Sequence, residues 1–367
     1  MHLRIHKSKL LEPLIQVSHA INHKNPISAL AGVFMSLSKN GLRLVGSDVG
    51  HAIVRNIPAD DMQIVRLGSI VLPSKKFIDI VKTMPSEEIA IDLKGLEAHI
   101  SVGKIKLKLS GIDSGEYTFR PVKGEEAFKM KGEQLRELIR RTEFAANARD
   151  EMPILGGIRI QSEDSGISFT SCDKTKLASV PLEVESKQDF QVAVEAGHLR
   201  KTKDLFGVEE EVSVSFAGNR TIFSTEGTTA HFTNMEGIYP KVESLLDQGA
   251  VKASFWLTTS EIAEAARRIK IIGDGAAKNM FIKASPGEVV IFGKGETGRI
   301  EEFLEPGEYE GEDIRVCVNA EFFLEVLEAT NGTEVKIEIG KFAELTSDED
   351  KAKFIVIPRI AHEGEWT

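Results

Sequence analysis

The sequence predicts an α+β protein made of three copies of one unit, each carrying two helices on antiparallel sheet. Three observations lead there. The segments LRIHKSKLLEPLIQV from Leu3, FKMKGEQLRELIRRT from Phe128 and FWLTTSEIAEAARRI from Phe255 align in their apolar slots, Leu10 with Leu135 and Ile262, then Leu14 with Ile139 and Ala266. GLRLVGSD (Gly41–Asp48), GISFTSCD (Gly166–Asp173) and GEVVIFGK (Gly287–Lys294) share a turn glycine, an alternating strand and a small polar turn. IVLPSKKFIDIVKTM (Ile70–Met84), VAVEAGHLRKTKDLF (Val192–Phe206) and VCVNAEFFLEVLEAT (Val316–Thr330) each read as a strand running into a helix. The order is the same in each third of the chain, at a period of about 125 residues. The copies are expected at 1–124, 125–248 and 249–367.

Each element has a local reason. In the helix after Phe128, Leu135, Leu138, Ile139 and Thr142 fall at i, i+3, i+4 and i+7 and make one apolar face. Arg136, Arg140 and Arg141 fall off it and show a basic side. Strands are read at Ile89–Leu93, Ala98–Val102, Ile105–Leu109, Val212–Phe216, Thr221–Ser224, Val335–Ile339 and Phe354–Ile357, which alternate and are bounded by Gly, Asn or Asp. GKIKLKLSG (Gly103–Gly111) interleaves Lys104, Lys106 and Lys108 with Ile105, Leu107 and Leu109, a strand with one dry and one charged face that suits a sheet edge. GIDSGEY (Gly111–Tyr117) and EGIYP (Glu236–Pro240) close the first two copies, with linkers near Val122–Ala127 and Asp247–Val251. The tail Ala361–Thr367 is polar and expected to be loose.

Composition narrows the function. The 367 residues are 41% apolar and 28% charged, ordinary for a soluble globular chain. The net charge of −10 argues against coating DNA through overall charge but leaves room for a local basic lining. Two cysteines, Cys172 and Cys317, suggest no disulfide framework and a reducing compartment. There is no apolar leader core and no run near the length of a membrane span, so a cytoplasmic protein without a membrane partner is expected.

Catalytic motifs are lacking. No P-loop, GxSxG, HExxH, CxxC pair or EF-hand loop occurs, and the glycines at Gly293–Gly295 follow a strand without opening a helix. Asp48 and Asp173 occupy matching turns, but the third copy has Lys294 there, so turn hydrogen bonding is the simpler role. The nine histidines show no metal-ligand spacing; His19 and His23 are four apart without a third ligand nearby. No catalytic residue, metal or cofactor is expected.

The basic residues repeat. Arg140–Arg141 and Arg267–Arg268 fill the same slots in the second and third copies, where the helix dipole also favours cations. Lys24, Lys75, Lys76, Lys82, Arg149, Arg200, Lys201 and Lys203 lie at or beside helix ends. If all six helices face one way, these positives converge, which is the footprint of a protein that cradles a duplex through phosphates without reading sequence.

Over nearly its whole length the chain resembles the bacterial DNA polymerase III beta subunit family, the sliding clamps. The segments that carry the resemblance are LLEPLIQVS (Leu10–Ser18), SIVLPSKKFIDIVKTMP (Ser69–Pro85), LSGIDSGEY (Leu109–Tyr117), RRTEFA (Arg140–Ala145), ILGGI (Ile154–Ile158), SCDKTKLAS (Ser171–Ser179), MEGIYPKVESLL (Met235–Leu246) and FIVIPRI (Phe354–Ile360). The resemblance implies half a ring per chain, closed head to tail into a homodimer, with helices lining the hole and sheets outside. It implies duplex DNA, the DNA polymerase III alpha subunit, a clamp loader and other clamp-binding-motif proteins as partners. Lys24 and Arg149 fall on positions that look like DNA contacts; Lys75, Lys76, Arg136, Arg140, Arg141, Arg200, Lys201, Arg267 and Arg268 complete the expected lining. The implied closure joins the lysine strand (Lys104, Lys106, Leu107) to RIEEFLEPGEYEGED (Arg299–Asp313), with Glu301, Glu302, Ile271 and Ile272 taking part. The implied peptide pocket matches Leu155, Cys172, Lys174, Thr175, Lys176, Leu177, Pro240, Leu245, Ile355, Ile357, Pro358, Arg359 and Ile360. This chain departs from the family pattern at Lys174–Lys176, at Glu195–His198 and in its longer tail, which also fits a divergent second clamp or a partner-binding scaffold for a non-replicative polymerase.

Overall fold

The computed structural model describes residues 1–148, 151–242, 249–273 and 278–366. Among these residues six helices occur: α1 (Lys7–Ser18), α2 (Ser74–Thr83), α3 (Gly132–Thr142), α4 (Ala196–Thr202), α5 (Thr259–Ile272) and α6 (Ala320–Ala329). Each is entered directly from a strand, as read from the repeats. The apolar stripes are buried where the period puts them: Leu10, Leu14 and Val17 on α1, Phe77, Ile78 and Val81 on α2, Ile262, Ala266 and Ile269 on α5. On α3 the four positions Leu135, Leu138, Ile139 and Thr142 are all buried. The start of α6 is fixed by Asn319, whose Oδ1 accepts from the Glu321 and Phe322 amides at 2.8 and 3.3 Å.

Every strand pairing is antiparallel, and each copy uses its strands in the same way. The strand that enters the first helix of a copy pairs with the strands that follow its second helix: His2–His6 with Glu88–Lys94, Glu125–Lys131 with Glu211–Ala217, Ala253–Thr258 with Glu334–Ile339. The strand that enters the second helix pairs with the meander between the helices: Gly68–Pro73 with Gly32–Ser38, Gln191–Glu195 with Gly157–Glu163, Ile314–Asn319 with Asn279–Ser285.

Sheets of successive copies then merge. The last meander strand of the first copy, His51–Pro58, pairs with the final strand of the second, Thr228–Thr233, giving an eight-stranded sheet. The last meander strand of the second copy, Lys176–Leu182, pairs with the final strand of the third, Lys353–Val356, giving a nine-stranded sheet. Two strands of these same types remain at sheet edges: Ile105–Ser110 ends a five-stranded sheet and Gly298–Leu304 ends a four-stranded one.

The chain divides into two compact units, Met1–Arg136 with Gly197–Asn234, and Glu137–Ala196 with Met235–Thr367. The five- and eight-stranded sheets belong wholly to the first, the nine- and four-stranded sheets to the second.

Two expectations are corrected here. The lysine strand is an edge, but its apolar face is not dry: Ile105 is exposed and Leu107 and Leu109 are half-buried, because no element covers that side. The tail is not loose. His362 and Glu365 close a reciprocal cap around a 3-10 turn, Arg359 donates to Glu365 at 2.9 Å, and Trp366 is only 9% exposed. The indole meets Phe281 and Phe292 edge-on at 5.1 and 6.2 Å over Cys317, so aromatic burial outweighs the polar composition of the segment.

Candidate nucleic-acid and partner interfaces

The expected lining residues fall into three groups by what holds their charge. Lys24, Lys75, Lys76 and Lys201 are exposed and have no acidic partner among the described residues. Arg200 is also exposed, at the end of α4. Arg136, Arg140 and Arg267 are partly exposed and paired with carboxylates: Arg136 with Asp204 at 3.0 Å, Arg267 with Glu328 at 3.6 Å, and Arg140 with Glu137 at 2.8 Å, its guanidinium also donating to the Glu328 carbonyl at 2.7 Å and to Asn331 at 3.2 Å. Exposed pairs of this kind are weak, so a phosphate can replace the carboxylate. Arg149 lies outside the described residues.

Arg141 and Arg268 do not behave as the sequence suggested. Arg141 is 5% exposed; Nη1 and Nη2 reach Asp350 at 2.6 and 3.2 Å, Nε donates to the Ala329 carbonyl at 2.7 Å, and the guanidinium sits 5.3 Å from the centre of the Phe354 ring. It turns inward because a half-buried carboxylate, an orphan carbonyl at the end of α6 and an aromatic face together engage Nε and both terminal nitrogens. Arg268 makes a two-pronged pair with Glu302, both bonds 2.7 Å, inside its own unit. This one pair therefore engages both a proposed DNA-facing residue and a proposed closure residue.

The remaining closure residues stay at the surface. Lys106 and Lys108 project from the edge strand, Lys108 reaching Glu97 at 3.3 Å; Lys104 is in the preceding turn. Glu301 pairs with Arg299 at 3.1 Å on the other edge strand. Ile271 is 83% exposed and Ile272 half-buried at the end of α5. Phe303, 64% exposed on the same edge strand as Glu301, was missed; a lone phenylalanine among glutamates on an alternating strand was the signal.

The expected pocket residues divide as well. Leu155, Cys172, Leu177 and Ile355 do come together, in one buried cluster with Tyr239, Val242 and Phe342. Tyr239 ties it, its hydroxyl accepting from the Cys172 amide at 3.1 Å and donating to the Gly157 carbonyl at 3.3 Å. Burial raises the Cys172 thiol above its ordinary range. These four residues form a closed floor rather than an open wall. Ile357 and Ile360 are exposed and Pro240 and Pro358 half-buried. Lys174 is exposed, with Glu151 3.5 Å away. Thr175 belongs to the Asp173 turn. Arg359 is held back by the tail through Glu365. Lys176 is corrected outright: it is buried, donates to the Phe144 carbonyl at 3.0 Å, pairs with Glu325 and lies over the Phe144 and Phe322 rings. Leu245 lies outside the described residues.

Three family models match along the chain: the N-terminal domain of the DNA polymerase III beta subunit at residues 1–121, its central domain at 129–241 and its C-terminal domain at 250–350. The chain belongs to the DNA polymerase III beta subunit family.

Relatives agree in extent as well as in kind. The beta sliding clamp of Bacillus subtilis is 26% identical over 350 residues, covering 92% of each chain. That of Streptococcus pneumoniae is 25% identical over 352 residues, again 92% of each. The crystal structure of the sliding clamp from Bacillus subtilis superposes with a TM-score of 0.94 at 24% identity, over 99% of this chain and all of that one. The beta subunit from Pseudomonas aeruginosa gives 0.92 at 21% identity, over 98% of this chain and all of that one. The fold is the three-domain clamp fold.

In this beta subunit relative the two matching aspartate turns are turn-formers. Asp48 Oδ1 accepts from the Gly50 and His51 amides at 2.9 and 3.1 Å, and Asp173 Oδ1 from the Thr175 and Lys176 amides at 2.6 and 2.8 Å. Linear spacing gave no hint that His198 would reach the first turn, where it stacks on His51 at 4.0 Å. Burial, with His51 adding to it, lowers His198 to about 4.

Proposed function

We propose that two copies of this chain close head to tail into a ring that encircles duplex DNA and tethers the replicative DNA polymerase for processive synthesis. The observation that carries the reading is the repeated join. Within the chain, the last meander strand of one copy twice pairs with the final strand of the next. A third pairing of that type needs Gly298–Leu304 of one chain and Ile105–Ser110 of another, the two strands of those types that end sheets. Repeating the rule between two chains consumes both edges and makes a closed assembly of six domains.

The domains are those at 1–124, 125–248 and 249–367. Lys24, Lys75, Lys76, Arg200 and Lys201, with Arg136, Arg140 and Arg267 once released from their weak partners, supply the inner positive charge, and Arg149 joins them. Contacts of this kind, to phosphates and through water, hold without fixing position and so permit sliding. Ile357, Ile360, Pro240 and Pro358, with the Leu155–Cys172–Leu177–Ile355 cluster, take the peptide of the DNA polymerase III alpha subunit, the clamp loader or another partner. Burial of two apolar anchors there contributes roughly 3–6 kcal/mol before ordering costs. The chain works in the cytoplasm and supplies topology rather than catalysis.

The test is retention. Loaded with a clamp loader on nicked circular DNA, the protein should elute with the DNA and be lost when the circle is linearised. Equal loss from circle and linear DNA would overturn the encircling reading.

A further inference from the structure

The two joins inside the chain are built alike at one more position, and there they differ chemically. In each aspartate turn the residue three after the aspartate reaches the second helix of the following copy. In the second turn this residue is Lys176, and it meets a glutamate, Glu325 on α6. In the first turn it is His51, and it meets another base, His198 on α4, face to face at 4.0 Å. Complementary charges close one join; at the other, two imidazoles and a carboxylate face one another. Such a set is one that an electrophile can bridge.

We propose that Asp48, His51 and His198 form a binding site for a borderline divalent transition cation, zinc in the first instance, that staples α4 to the Asp48–His51 turn. One ligand atom from each of the three residues lies within 4.8 Å of the others. A tetrahedral zinc with bonds of about 2.0–2.2 Å holds its ligand atoms roughly 3.4 Å apart. Asp48 Oδ1 and His51 Nδ1 already meet that spacing at 3.1 Å; the His198 imidazole, stacked on His51, must turn so that a ring nitrogen rather than its face points to the same centre. The second nitrogen of His51, Nε2, is 3.4 Å from the His19 carbonyl, the outer hydrogen bond that commonly fixes the tautomer of a metal-bound imidazole. The three bonds Asp48 receives all fall on Oδ1; Oδ2 takes none among the described residues.

The backbone accommodates the arrangement. A Cβ on Gly50 would lie 2.3 Å from Cε1 of His198, so only glycine lets the imidazole approach the turn. Two imidazoles and one carboxylate with a fourth position open to water is a donor set that suits zinc over magnesium or calcium.

The experiment is titration of the chelator-treated full chain with zinc chloride by calorimetry, followed by X-ray absorption at the zinc edge. One zinc per chain is expected, with two imidazoles in the absorption fit and a rise of a few degrees in Tm. His198→Gln and Gly50→Ala should each weaken zinc at least tenfold, the second without removing a ligand, while His99→Gln, on the five-stranded sheet, should leave it unchanged. No stoichiometric zinc on the wild-type chain, a zinc spectrum lacking imidazole, or unchanged affinity in both variants would overturn the site. Because the absorption fit uses the wild-type chain, the result stands even where a variant fails to fold.

Discussion

Arg141 and Asp350, 209 residues apart in sequence, close a two-pronged ion pair at 2.6 and 3.2 Å, the arginine buried and the aspartate half-buried. Truncating one partner of a buried pair leaves the other charge unsatisfied. Arg141→Ala should therefore cost on the order of 3 kcal/mol in denaturant unfolding, whereas Arg140→Ala, at the surface, should cost well under 1. The pair also sets a pH dependence. Burial alone would raise Asp350, but its hydrogen bonds from Arg141 and the Ala352 amide prevail and hold it below the ordinary carboxylate range. A depressed native pKa gives stability that is complete above the unfolded value of about 3.9 and fades as pH falls through the native one. Asp350→Asn should lower stability at pH 7 and flatten the acid limb of the stability curve; an unaltered acid limb would assign the acid sensitivity to other groups.

Lys24, Lys75 and Lys76 carry exposed charge with no acidic partner among the described residues. Their joint replacement by alanine should leave Tm unchanged and weaken DNA retention on circles. The slope of log affinity against log salt should shrink by about one for each phosphate that no longer meets a lysine. Retention equal to wild type from 50 to 200 mM salt, or about that range, would remove them from the lining.

The free edges carry opposite charge and one prominent apolar side chain. Lys106→Glu with Phe303→Asp should move the protein from dimer to monomer in sedimentation velocity while far-UV circular dichroism stays the same. Glu302→Gln should act differently: its carboxylate is engaged by Arg268, so it should loosen the packing of α5 on the edge strand rather than directly unpair chains.

Ile357 and Ile360 are exposed, whereas Leu155, Cys172, Leu177 and Ile355 are buried in one apolar cluster. Replacing both by serine should lower the affinity for a clamp-binding peptide at least tenfold, measured by fluorescence anisotropy, with the melting temperature unchanged. Leu177→Ser, inside the floor, should instead lower the melting temperature, since a hydroxyl would be buried in an apolar cluster.

Trp366 covers Cys317, whose thiol burial pushes up to about 11. Trp366→Ala should open that surface and speed alkylation of Cys317 at pH 8 several-fold, with mass spectrometry locating the adduct; an unchanged rate would mean that the sheet alone protects the sulfur.

What could be read from sequence follows from the range of each interaction. Leu135, Leu138, Ile139 and Thr142 report one another through a period of 3.6 within a single segment, so α3 was legible with its buried face. Asp48 and Asp173 were legible as turn-formers because the amides they accept from are two and three residues away. The inward turn of Arg141 was not, since its carboxylate lies in the last copy and no local pattern distinguishes a buried arginine from an exposed one at a helix end. The same holds for Lys176, whose glutamate is 149 residues on, and for His198 against His51. The tail misled because the polar residues His362, Glu363, Glu365 and Thr367 outweighed one tryptophan in composition, while in the fold that one side chain decides where the segment goes.

The repeated strand pairing has a kinetic corollary. Two of the three pairings are between segments of one polypeptide, whose effective local concentration is fixed by the covalent chain and is indifferent to dilution. The third, proposed between chains, would be a bimolecular equilibrium, so it alone would weaken as the protein is diluted, and an assembly of this design would part there first.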